Sequence, residues 1–76
     1  MRGSVMTHNR SSNLSDRERQ VLHLITEGHT DAEIAAQLYI SVFTAQNHVK
    51  SILRKLNARN RTQASTIYGR MTNSSY

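Results

Sequence analysis

The sequence contains no cysteine. That excludes a disulfide framework, a thiolate zinc site and a cysteine nucleophile, and it fits a reducing compartment. No apolar run approaches the roughly 18 residues that a membrane span needs, and nothing resembles a secretory signal peptide. The expectation is a soluble, cytoplasmic protein with no membrane partner. Negative charge is scarce and confined: all five acids, Asp16, Glu18, Glu27, Asp31 and Glu33, lie between positions 16 and 33. Lys50, Arg54, Lys55, Arg59, Arg61 and Arg70 follow with no acid among them, so the C-terminal half reads as an uncompensated cation within a net charge of +5. Such a block is either a solvated face or a surface for a polyanion such as nucleic acid. No stretch alternates at period two for long enough to argue a strand. With 76 residues the chain has room for one small domain, its core a thin layer between a few helices.

What is present is helical punctuation. Residues 1–13, "MRGSVMTHNRSSN", are polar and aperiodic and read as a flexible leader; the opening "MRGS" resembles an expression-vector sequence, which would make Met6 a native start or a fragment junction. Ser15 followed by Glu18 is a capping box ahead of the apolar positions Val21, Leu22, Leu24 and Ile25, and Gly28 supplies the left-handed residue that closes a first helix. Thr30 and Glu33 repeat the device before a shorter helix with Ile34, Ala35 and Leu38 inward, ending near Tyr39. Ser41 opens a third helix over about 42–56, with Ile40 placed to staple against Ala45; Ala45, Val49, Ile52, Leu53 and Leu56 form its single apolar stripe. Asn60 and Gln63 make a weaker cap before a short fourth helix carrying Ala64, Ile67, Tyr68 and Met71. The domain is expected over 14–71, with a disordered tail at 72–76.

Two short helices joined by a tight connection, the second long and ending in cations, form a helix-turn-helix arrangement. In that arrangement the second helix enters the major groove and the first braces it. With the apolar stripe turned inward, Gln46, Asn47, Lys50 and Arg54 share the outward face of the third helix. Arg54 and Lys55 lie far enough along for the helix to have reached the sugar-phosphate wall, so both are expected to contact phosphate. Ser41 and Thr44 at the start of this helix, and Thr30 at the start of the second, suit either phosphate binding or capping. His23 and Glu27 share a helix face at metal-ligand spacing but lack a third ligand, so no metal is expected. Ser, His and Asp are all present without a nucleophile elbow or an evident pocket, so no enzyme and no cofactor are expected. Arg17 and Arg19, among acids, read as solubilising.

From Leu14 to about Ala64 the residues "LSDRERQVLHLITEGHTDAEIAAQLYIS" and then "T....HV..IL.KLN..NRTQA" resemble the DNA-binding domain of the LuxR/GerE (FixJ/NarL-type) family of bacterial transcription regulators. The resemblance implies an all-α, four-helix domain without a wing, bound as a homodimer to inverted or direct half-sites and attached to a receiver or ligand-sensing domain. A response-regulator output domain would sit in the bacterial cytoplasm, on the nucleoid when bound, with RNA polymerase a further partner. It implies base contacts from Gln46, Asn47 and Lys50, where amides suit adenine and lysine suits guanine, and a backbone contact from His48. By the same likeness Arg61 braces the fourth helix, and Ala64, Ile67, Tyr68 and Met71 resemble a dimer contact, a face that would equally finish the monomer core. Ala45 and Gln46 stand where the family has Val then Lys or Arg, and Phe43 where it has a polar residue. Adenine is therefore expected opposite the two amides. The alternative is a helix-turn-helix module that binds protein and no longer reads DNA.

Overall fold

A computed structural model describes residues 13–73, with side chains through Met71; the leader at 1–12 and the last residues, 74–76, lie outside the described part. Four helices follow one another: α1 (Asp16–Thr26), α2 (Asp31–Leu38), α3 (Val42–Leu56) and α4 (Arg61–Asn73). No strand occurs among the described residues. The architecture is all-α, as the periodicity predicts, although α4 runs on through Thr72 and Asn73, which the sequence reading assigned to the tail.

Local chemistry explains where each helix starts. Ser15 Oγ accepts the Glu18 N–H at 3.1 Å while Glu18 Oε1 accepts the Ser15 N–H at 2.9 Å, and Thr30 and Glu33 reproduce the same reciprocal pair at 3.1 and 2.9 Å. Each box satisfies two donors that the first turn of a helix cannot pair internally. At the start of α4, Asn60 Oδ1 accepts the Gln63 N–H at 2.8 Å. Gln63 Oε1, however, accepts from the Arg59 N–H rather than from Asn60, so the return bond reaches one residue further back.

Helix ends use the left-handed region three times. Gly28 sits at φ 90° after α1, where its lack of a Cβ removes the steric penalty. The same role falls to Tyr39 (φ 59°) after α2 and to Asn57 (φ 56°) after α3. Asn adopts this region readily, whereas a bulky aromatic does so at a cost of about 1 kcal/mol. Tyr39 is held there by Ile40, whose N–H bonds back to the Ala35 carbonyl at 3.0 Å, so only Tyr39, Ile40 and Ser41 separate α2 from α3.

The core lies between α1, α3 and α4, with α2 packed on α3. Val21 and Leu22 from α1, Ile34 from α2, and Ile52 and Leu56 from α3 are fully buried. Each contributes about 1.5–3 kcal/mol of transfer free energy. No helix among the described residues is long and apolar enough to cross a membrane.

Candidate nucleic-acid interface

The start of α3 differs from those of α1 and α2. Ser41 Oγ accepts the Thr44 N–H at 3.0 Å and donates to Thr44 Oγ1 at 2.9 Å, and the first turn holds no acid. Gln46, Asn47, Lys50 and Arg54 are all exposed on the outward face. Phe43 stands three residues before Gln46 and seven before Lys50, which puts it on the same face within an arc of roughly 100°. Its ring is 70% exposed, and Val42 beside it is 42% exposed. Phe43 is the residue that sequence reasoning registered only as unusually bulky; its spacing to Lys50, off the apolar stripe, is the signal that assigns it to the outward strip.

The flank of α3 is tied to α1 by a buried carboxylate. Glu18, only 6% exposed, accepts hydrogen bonds from Ser51 Oγ at 2.7 Å and from Lys55 Nζ at 2.8 Å, besides closing its own capping box. Burial pushes its pKa up, but the bonds from Lys55, Ser51 and the Ser15 N–H outweigh that and draw it down from 4.5 to about 2. Lys55 was expected on phosphate. Its ammonium lies 2.8 Å from Glu18 Oε1, the cation that α3 presents to the buried carboxylate on that side.

Arg61 Nη2 likewise reaches Asp31 Oδ1 at 2.9 Å, bracing the start of α4 against the start of α2. Arg19 pairs with Asp16 and also donates to the Leu14 carbonyl at 3.0 Å. The C-terminal cations therefore divide: Lys55 and Arg61 neutralise acids from the first half, whereas Lys50 and Arg54 have no ion-pair partner among the described residues.

The remaining predicted residues separate in the same way. Thr30 is exposed and occupied as the cap of α2, and His48 is half-buried on the flank of α3. Ala64, expected at a dimer contact, is fully buried in the core, on a helix that packs against both α1 and α3. Ile67, Tyr68 and Met71 pack against the core but keep part of their surface in solvent, and the Tyr68 ring meets His23 edge-on at 6.2 Å between centroids. His23 Nε2 lies 3.2 Å from Glu27 Oε2, and among the described residues no group of three ligating side chains converges on a metal position.

The sequence pattern of the GerE family, described as bacterial regulatory proteins of the luxR family, matches residues 12–68. The chain belongs to this family. Its relatives include the transcriptional regulatory protein DegU of Brevibacillus brevis, 49% identical over 51 residues that cover 67% of this chain and 22% of that protein. LiaR of Bacillus subtilis is 45% identical over 51 residues (67% and 24%), and the nitrate/nitrite response regulator homologue of Haemophilus influenzae is 44% identical over 55 residues (72% and 26%). The chain thus spans about a quarter of the length of these curated relatives. As a luxR-family helix-turn-helix domain it is a DNA-binding domain of a transcription regulator and not an enzyme.

Proposed function

We propose that this luxR-family domain docks α3 in the major groove of double-stranded DNA and reads sequence with Gln46, Asn47 and Lys50. The observation that carries the reading is the exposed strip of two amides, Lys50 and the more distal Arg54, with no carboxylate paired to either cation among the described residues. Amide side chains pair with adenine N6 and N7, and a lysine donates to guanine O6 and N7. Arg54 lies about 12 Å beyond Gln46 along the helix, a distance comparable with the groove's width, so it meets the phosphate wall. Ser41, Thr44 and Thr30 contribute backbone contacts, their hydroxyls and helix-start positions suiting phosphate oxygens, and the His48 imidazole adds a further one. A homodimer on paired half-sites forms through the partly exposed Ile67, Tyr68 and Met71 of α4, and RNA polymerase is the partner of the bound state.

Regulation comes from a domain outside this chain. The response-regulator names among its relatives support an output role in the bacterial cytoplasm, on the nucleoid when bound. The test is the salt dependence of duplex binding. About four phosphate contacts give a log–log slope near −3 to −4. Absence of salt-dependent duplex binding overturns the reading and favours a protein-binding module.

A further inference from the structure

We infer that Phe43 is a specificity-determining residue that reads the 5-methyl group of thymine; the inference rests on the DNA-reading proposal above and deepens it. An aromatic ring left 70% in solvent on the first turn of α3 gives little to the core, whose buried members lie on the opposite side of the helix. Its place is in line with Gln46, Asn47 and Lys50, at helical offsets of three, four and seven, so whatever surface these residues meet, the ring meets too. The residues nearest the N-terminus of a recognition helix are the ones that contact base edges. A phenyl ring can neither donate nor accept a conventional hydrogen bond. Among the groups displayed along the major groove the thymine methyl is the apolar one, and apolar side chains pack on it.

The neighbouring amides strengthen the assignment. If Gln46 and Asn47 face adenines, each of those base pairs also carries a thymine, and the ring stands only about 5 Å further along the helix. A polar side chain at position 43 would leave the methyl without a partner, so the ring adds recognition of the methyl itself, the group that separates thymine from deoxyuridine, to the adenine recognition of the amides.

The experiment begins with selection of bound duplexes from a randomised pool by the 76-residue chain, followed by affinity measurements on the selected site. Each thymine is then replaced in turn by deoxyuridine, which removes the methyl and keeps the pairing edge. The wild-type chain is expected to lose about fourfold in affinity at one position, the factor that corresponds to burial of one methyl group. Phe43→Ser is expected to bind the thymine duplex more weakly by at least that factor and to show no difference between thymine and deoxyuridine there, whereas Phe43→Leu keeps the difference. Thermal unfolding of both variants, matched to the wild type, shows that the ring was not acting through the fold. A selected duplex that is bound with no methyl-sensitive position, or a Phe43→Ser variant that still distinguishes the two bases, overturns the role of Phe43 and leaves DNA reading in place. Failure to select any duplex overturns the DNA reading itself, and with it this inference.

Discussion

The first turns of α1 and α2 each carry two acids, Asp16 with Glu18 and Asp31 with Glu33, and each is closed by a reciprocal capping box. The first turn of α3 carries none, is closed only by Ser41, and displays Phe43 to solvent. Carboxylates placed against the positive end of a helix dipole satisfy it internally. In α1 and α2 that end is spent on the fold, and two of the acids go further: Glu18 holds Lys55 and Asp31 holds Arg61. The start of α3 is left positive and unscreened, which suits a helix whose partner is a polyanion. Of the first three helices, the one whose start lacks acids is the one that carries the exposed Gln46, Asn47 and Lys50.

The largest effect that would break this division comes from the buried acid. Lys55→Met strands the Glu18 carboxylate and is expected to cost about 3 kcal/mol in chemical denaturation, while the salt slope of the folded protein's duplex binding stays unchanged. A slope reduced by about one instead would return Lys55 to the phosphate contacts. The same pair sets acid sensitivity. A carboxyl held below its ordinary value adds stability that is fully present above pH 4.5 and is lost as the pH falls towards about 2. Glu18→Gln should flatten that part of a stability–pH curve; an unchanged curve would mean that other groups carry it.

Next in size are the residues proposed to read DNA. Lys50→Ala is expected to relax one operator position by about 1–3 kcal/mol, while Arg54→Ala weakens all duplexes alike and lowers the salt slope by about one. Equal losses on operator and random DNA for both variants would erase the distinction between base and phosphate roles. Arg61→Ala removes a partly exposed bridge and should cost about 0.5–1 kcal/mol in thermal unfolding, with duplex affinity of the folded domain unaltered. Smallest is Tyr39→Asn, which trades a bulky residue for one at ease in the left-handed region and should raise stability by up to about 1 kcal/mol. A fall in stability would show that the exposed ring packs more than its position suggests.

Much of this was legible before any coordinates. The apolar stripe from Ala45 to Leu56 and the cap at Ser41 predict 42–56 for the third helix, the span observed. Both capping boxes depend on residues three apart, which sequence displays directly. Contacts between distant segments were not legible. Glu18 meets Ser51 and Lys55 across 33 and 37 residues; helical spacing puts Lys55 to one side of the outward strip, but nothing local names its partner. Ala64 is small and apolar, a description that fits a dimer face and a helix crossing equally well, and only packing assigns it to the core. Tyr39 escaped notice as a left-handed residue because that conformation is usually announced by glycine or asparagine.

The bond from Glu18 to α3 also acts on rotation. Ser51 and Lys55 are four residues apart, so the carboxylate grips two successive turns of the same side of the helix, roughly a quarter-turn around from the face that carries Phe43, Gln46, Asn47 and Lys50. An apolar stripe alone tolerates some roll of a helix in its seat, since greasy contacts are non-directional. Two directed bonds to one oriented carboxyl group work as a key in a slot: they set the angle at which the helix presents Gln46, Asn47 and Lys50.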